Sequence, residues 1–114
     1  LVAEVKHTLM GWASLTPYSP RACFRGIAEL SIYIDRSLRG HGVGQELMKA
    51  MQDAAREKGY YKLVGRIIAD NEPGRKLCQM SGWKEVGIHE KHGKLGSEWH
   101  DLVLVEYLIP ENMN

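Results

Sequence analysis

Apolar and polar residues alternate along residues 27–35, with an apolar side chain at every second position of residues 30–34. A repeat of two residues predicts a β-strand with one buried face. Beyond a short turn, apolar residues recur three or four positions apart over residues 43–55, which predicts an amphipathic helix. Gly59 follows at the place where a glycine often ends a helix. This part of the sequence therefore predicts a strand, a turn and a helix.

The residues before this unit contain two short apolar runs, at 1–5 and 9–15. We interpret them as the strands of an antiparallel hairpin. Two prolines within residues 17–21 disfavour regular strand pairing and predict a loop. The sequence does not begin with methionine, and residues 1–5 already have the pattern of a strand. We therefore expect the sequence to begin inside a domain.

The C-terminal half alternates predicted strands with one short helix. Residues 62–68 are mostly apolar and predict a strand, and the turn after it offers Asp70 or Asn71 as a helix N-cap. The short helix that follows is expected to end at Gly82. The remaining predicted elements are a strand at 83–89, a loop at 90–98 with two glycines and mixed charge, and a last strand at 99–109.

Residues 39–44, with the sequence Arg-Gly-His-Gly-Val-Gly, connect the central strand to its helix. Three glycines at alternate positions leave the backbone N–H groups uncovered. The helix N-terminus adds partial positive charge, and together these features suit a phosphate or pyrophosphate. A P-loop requires Lys and then Ser or Thr after its last glycine, whereas Gln45 and Glu46 follow here. The glycine spacing also differs from that of a Rossmann turn.

A third pattern, Arg/Gln-x-x-Gly-x-Gly/Ala between a strand and a helix, is matched by Arg39, Gly42 and Gly44. This resembles the coenzyme A pyrophosphate loop of the GNAT superfamily of N-acetyltransferases. The alternative is a tight turn that needs glycine only for its shape. The resemblance implies an α/β (α+β) fold with a mixed, mostly antiparallel central sheet flanked by helices. The elements predicted from the sequence follow in the order β-β-β-α-β-α-β-β.

That order matches the superfamily from its second strand onward. We therefore expect residues 1–114 to form a single acetyltransferase domain that lacks the family's first strand and first two helices. Such a domain would expose an edge strand and apolar surface, and would tend to associate.

Within the superfamily, the chain looks most like the phosphinothricin acetyltransferase group. The similar segments are residues 28–34, 39–44, 78–83 and 99–101, together with Asn71. The resemblance implies transfer of an acetyl group from acetyl-CoA to the amino group of a small amino acid or analogue, such as phosphinothricin or methionine sulfoximine. It also implies a homodimer.

The resemblance assigns Glu29 as the general base that deprotonates the acceptor amine. The alternative is a surface carboxylate on an edge strand. Asn71 is expected to contact the cofactor arm, or else to serve only as a helix N-cap. The cofactor-binding residues implied by the resemblance are Ile32, Tyr33, Ile34, Arg39, Gly40, His41, Gly42, Val43, Gly44 and Asn71.

Cys78 stands where many superfamily members have tyrosine and the phosphinothricin group often has histidine. A thiol could protonate the departing coenzyme A thiolate, because the two groups have similar basicity. Alternatively, Cys78 packs in the core as a small hydrophobic residue.

The bulk composition excludes several classes of protein. The net charge of +1 gives no basic footprint for nucleic acid or an anionic membrane, and no apolar run is long enough for a transmembrane helix. Cys23 and Cys78 lack metal or redox spacing, and His89, His92 and His100 fit no standard zinc site. We therefore predict a cytoplasmic protein without a metal. A protein or peptide amine acetyltransferase and a non-catalytic acyl-CoA-binding module are the rival functions.

Overall fold

The computed structural model describes residues 4–8, 11–19, 21–34 and 43–113. The strands are β1 (Glu4–Thr8), β2 (Gly11–Pro17), β3 (Ile27–Ile34), β4 (Lys62–Ile68), β5 (Lys84–Leu95) and β6 (Glu98–Leu108), and the helices are α1 (Val43–Glu57) and α2 (Glu72–Met80). Short 3-10 helices cover Ala22–Phe24 and Pro110–Asn112.

The strands form one sheet in the spatial order β1-β2-β3-β4-β6-β5. The pairing between β3 and β4 is parallel, and every other pairing is antiparallel. The predicted mixed, mostly antiparallel sheet is therefore confirmed. Because β3 and β4 run in the same direction, their connection must cross over the sheet, and α1 provides that crossover.

Both helices pack against the same face of the sheet. Met48, Met51 and Ala55 of α1 and Cys78 of α2 belong to one buried cluster with the strands. The strand residues in that cluster are Ala13, Leu15, Ala28, Leu30, Leu63, Val103 and Val105. Successive strand residues point to opposite faces. Glu29, Val64 and Leu104 consequently lie on the face opposite the described helices.

The predicted C-terminal end of α1 is confirmed in detail. Gly59 has a φ of +86°, its N–H donates to the carbonyl of Arg56 at 3.2 Å, and the N–H of Tyr60 donates to the carbonyl of Ala55 at 3.1 Å. This pair of hydrogen bonds is the Schellman motif, which satisfies carbonyl groups left over at the end of a helix.

Replacing Gly59 with Ala should lower the free energy of unfolding by about 1 kcal/mol, because an L-residue is strained in the left-handed region. An added Cβ would meet no atom within 4 Å, so the effect would come from the backbone alone. Urea unfolding measures this loss of stability. Gly93→Ala is the control, because an added Cβ at Gly93 also meets no atom within 4 Å and the φ of Gly93 is not positive. Equal stability of the two variants would contradict the assignment.

The N-terminal hairpin is confirmed, although β1 continues through Lys6, His7 and Thr8, which the sequence pattern did not assign to a strand. The loop predicted at residues 90–98 is wrong. There β5 runs to Leu95, and a two-residue turn leads into β6. The reason for the error is a bulge between His89 and Gly93 that interrupts the register and removes the alternation of a regular strand.

Candidate active site

The feature that organises the site is the point where β3 and β4 cease to pair. Ile27, Ala28 and Glu29 pair with residues 62–64 of β4, and the register between the two strands ends there. On its other edge β3 stays paired with β2 as far as Ile34, and β4 stays paired with β6 through its last residue. Within the described residues, the inner edges of β3 and β4 therefore offer backbone donors and acceptors that the sheet does not use.

Glu29 stands at the base of this opening, as the last residue of β3 that pairs with β4. Its carboxylate oxygen Oε2 accepts a hydrogen bond from Nε of Arg66 at 2.9 Å and lies 2.7 Å from Nη2 of the same side chain in an ion pair. The Glu29 side chain is 26% exposed and that of Arg66 is 55% exposed. The carboxylate is therefore held in a fixed position and is still reachable from solvent.

A depression of about 320 Å³ on this face contains the Glu29–Arg66 pair. Apolar side chains from β4, β5 and β6 form its floor, and Glu106 and His89 add polar groups. Its described lining consists of Tyr18, Glu29, Val64, Gly65, Arg66, Val86, His89, Leu104, Val105 and Glu106. A concave surface in which apolar side chains adjoin a few converging polar groups is suited to a small molecule.

The predicted cofactor-binding residues fall into two groups. Ile32, Tyr33 and Ile34 lie on the part of β3 beyond its pairing with β4, and their contact with the cofactor stays a prediction. Val43 and Gly44 are the first two residues of α1. The other four residues of the predicted pyrophosphate turn, Arg39, Gly40, His41 and Gly42, lie outside the described residues.

Asn71 caps the N-terminus of α2. Its side-chain oxygen Oδ1 accepts a hydrogen bond from the N–H of Gly74 at 3.1 Å, and Pro73 lies in the first turn. The sequence pattern left Asp70 and Asn71 as alternative caps, and the geometry selects Asn71. The cap uses only the amide oxygen, so the Nδ2 group is a separate donor and a contact with the cofactor stays a prediction.

Cys78 lies in the core and is only 7% exposed. Burial raises the pKa of its thiol to about 11, and the negative charge of Glu85 acts in the same direction. A thiol with a raised pKa is a weaker proton donor at neutral pH. These observations favour packing over the role of general acid.

We expect Cys78→Ala and Cys78→Ser to keep turnover close to that of the unchanged protein. Both should lower stability, by about 1 kcal/mol for alanine and by more for serine, because a buried hydroxyl without a partner costs roughly 1–3 kcal/mol. Steady-state kinetics and urea unfolding provide the two readouts. A loss of turnover of about 10² in both variants would instead identify Cys78 as the general acid.

The histidines of the C-terminal hairpin form two separate contacts. The rings of His89 and His92 stack with their centroids 4.6 Å apart, and Nδ1 of His100 lies 3.1 Å from Oδ2 of Asp70. Among the described residues, no group of three His, Cys, Asp or Glu side chains could hold a metal ion. No helix in the same part of the chain has the length and apolar character to cross a membrane.

Sequence reasoning did not single out Arg66. The signal was available, because Arg66 is the one charged residue within the apolar stretch of residues 63–68. A charge at such a place usually has a partner, but which partner it has depends on the register between two strands far apart in sequence. Only the parallel pairing of β3 and β4 brings Arg66 next to Glu29.

Comparison with known proteins identifies the family. The model of the acetyltransferase (GNAT) family matches residues 1–83. The chain belongs to the GNAT family. A relative from Pseudomonas paraeruginosa, an L-methionine sulfoximine/L-methionine sulfone acetyltransferase, is 30% identical over 106 residues, which cover 93% of this chain and 62% of the relative.

Solved GNAT-type structures have the same fold. An N-acetyltransferase from Staphylococcus aureus Mu50 superposes with a TM-score of 0.83 at 33% identity, covering 88% of this chain and 61% of its own. YncA from Salmonella typhimurium, solved with its cofactor acetyl-CoA, gives a TM-score of 0.83 at 25% identity, covering 88% of this chain and 58% of its own. The chain thus spans less than two thirds of the length of these three proteins.

Proposed function

We propose that this GNAT domain transfers an acetyl group from acetyl-CoA to the α-amino group of a small amino acid or amino-acid analogue. The observation that carries the proposal is the opening between β3 and β4, with Glu29 at its base. The relative from Pseudomonas paraeruginosa, whose name gives L-methionine sulfoximine and L-methionine sulfone as substrates, supports an acceptor of this type.

Beyond Glu29, the inner edge of β3 has no strand partner among the residues that the structure describes, and such an edge fits acetyl-CoA chemically. The pantetheine arm carries amide groups, which can pair with a strand whose own donors and acceptors have no strand partner. In this proposal the backbone of residues 32–34 holds the arm and donates to the carbonyl oxygen of the thioester. The turn from Arg39 to Gly44 would bind the pyrophosphate with its N–H groups, and Asn71 would donate to the arm.

Acetyl-CoA supplies a thioester carbon that an amine can attack. An ammonium group has no lone pair, so the reaction requires that it first lose a proton. Glu29 accepts that proton through its carboxylate. The amine nitrogen then forms a bond to the acyl carbon and releases its second proton to solvent, the carbon–sulfur bond breaks, and the departing thiolate takes up a proton from solvent. No step in this sequence needs Cys78.

The two rival functions differ in what they predict for a panel of acceptors. The proposal predicts N-acetylated product with L-methionine sulfone and with phosphinothricin, detected by mass spectrometry together with an equal amount of free coenzyme A. A peptide or protein amine acetyltransferase would instead favour a short peptide. A non-catalytic module would bind acetyl-CoA and form no product with any amine, and that result would contradict the proposed acetyl transfer.

The homodimer implied by the family resemblance and the cytoplasmic location expected from the composition also belong to this proposal. Sedimentation of the purified chain at several concentrations tests the dimer. A monomer with full activity would remove the dimer from the proposal and leave the chemistry unchanged.

A further inference from the structure

Arg66 contacts Glu29 with only part of its guanidinium group. Nε donates a hydrogen bond to Oε2 of Glu29, and Nη2 lies 2.7 Å from the same oxygen. A guanidinium has five N–H donors in a planar fork. The edge formed by Nη1 and Nη2 therefore keeps donors that no described residue of the chain accepts. Since the Arg66 side chain is 55% exposed, that edge is open to a bound molecule.

Arg66 is also the one lysine or arginine among the described residues that line the depression. The lining contains two carboxylates, Glu29 and Glu106. Lys62, which is not part of the lining, pairs with Glu106 through an Nζ–Oε1 contact of 3.0 Å. Among the described residues, Arg66 thus supplies the guanidinium or ammonium charge that is accessible in the depression, and it lies directly beside the proposed base.

We propose that Arg66 binds the carboxylate of an amino-acid acceptor while Glu29 receives the acceptor's ammonium group. This proposal rests on the proposed function and names the part of the substrate that the site selects. A free α-amino acid carries one negative and one positive charge on neighbouring atoms. The Glu29–Arg66 pair presents the two opposite charges side by side. A guanidinium edge binds a carboxylate with two parallel hydrogen bonds.

Binding of the acceptor in this way does not require the ion pair between Glu29 and Arg66 to break. Arg66 contacts Oε2 of Glu29, so the acceptor's ammonium group can pair with the other carboxylate oxygen, Oε1. Carboxylate binding by the outer edge of the guanidinium then brings the ammonium group of the same molecule to Glu29. The site should therefore distinguish a free amino acid from the same molecule with a neutral amide in place of its carboxylate. A peptide N-terminus has such an amide and should be a poor acceptor.

The test compares L-methionine sulfone with its α-carboxamide. For the unchanged protein, kcat/KM for the acid should exceed that for the amide at least tenfold. Arg66→Gln should lower kcat/KM for the acid at least tenfold more than for the amide, mainly through KM, because a binding contact is removed. Arg66→Lys keeps the charge without the fork and should give an intermediate ratio. Lys62→Gln removes a cation from the same strand and should keep the ratio of the unchanged protein.

The ratio of kcat/KM for the acid to kcat/KM for the amide distinguishes carboxylate binding by Arg66 from a merely structural role. If Arg66 only holds Glu29 in place, Arg66→Gln will slow the acid and the amide equally, and the proposal is overturned. It is also overturned if the unchanged protein does not discriminate between the two compounds. Calorimetric titration with the acid and the amide in the presence of coenzyme A provides a readout without turnover. If no amine is acetylated, tighter binding of the acid than of the amide, lost in Arg66→Gln, still supports carboxylate binding by Arg66. Equal affinity of the unchanged protein for the acid and the amide refutes it.

Discussion

Glu29→Gln should lower turnover by about 10² to 10⁴, the usual contribution of a general base. Glutamine has nearly the same shape as glutamate, and its amide oxygen can still accept from Arg66. It cannot take a proton from an ammonium group. The loss should therefore appear in kcat, with the affinity for coenzyme A unchanged, because the base contacts the acceptor and not the cofactor.

The pH dependence of this variant gives a second readout. At higher pH a larger fraction of the acceptor amine is already deprotonated, so the deficit of Glu29→Gln should shrink as the pH rises. Glu111→Gln is a matched control, because Glu111 also accepts from an arginine Nε, that of Arg56 at 2.8 Å, at a place outside the depression. Turnover of Glu29→Gln equal to that of the unchanged protein at neutral pH would mean that Glu29 is structural.

Gly42→Val should weaken coenzyme A binding at least tenfold, or about 1.4 kcal/mol. Gly42 lies outside the described residues, so this prediction depends on the sequence motif and on the family. A branched side chain would stand where the backbone must approach the pyrophosphate, and it would also restrict the turn. Calorimetric titration with coenzyme A measures the loss.

The control for this variant is Gly93→Val, which introduces the same side chain on β5 at a position where an added Cβ meets no atom within 4 Å. Circular dichroism verifies that both variants are folded. A folded Gly42→Val protein with unchanged affinity would contradict the assignment of residues 39–44 as the pyrophosphate turn.

The central part of the fold was predictable from the sequence because its signals are local. The alternation in β3, the helical spacing in α1 and the glycine after α1 each fall within a few residues of the element they specify. The boundary of α2 was predictable for the same reason, since Asn71, Pro73 and Gly82 act on the turns next to them.

The C-terminal hairpin was not predictable in the same way. Residues 90–94 of β5 are mostly exposed, so no burial imposes an apolar alternation on them. Lys91 has a φ of +48°, a conformation that a search for regular strands does not anticipate. The strand is instead specified by its partner β6, whose pattern the sequence did show, and by hydrogen bonds such as that from the N–H of Lys91 to Oδ1 of Asp101 at 2.8 Å.

The residues of the site differ in the same way: some could be predicted from the sequence around them, and others depend on contacts with distant segments. The family motif pointed to Glu29 and to residues 32–34, because they lie next to the glycine-rich turn. The role of Arg66 depends on the register of β3 with β4, and the packing of Cys78 depends on the strands beneath α2. No pattern within a single segment specifies such contacts, which is why the sequence left the function of Cys78 open.

The most direct test of the account is amide hydrogen exchange along β3 with and without coenzyme A. We expect slower exchange at alternate residues of 30–34, because their N–H groups on the edge toward β4 have no strand partner among the described residues and would bind the pantetheine arm. Residues 102–105 of β6, already paired with β4, should not change. Protection confined to other parts of the chain, with residues 30–34 unaffected, would contradict the proposal that the opening between β3 and β4 is the place of acetyl transfer.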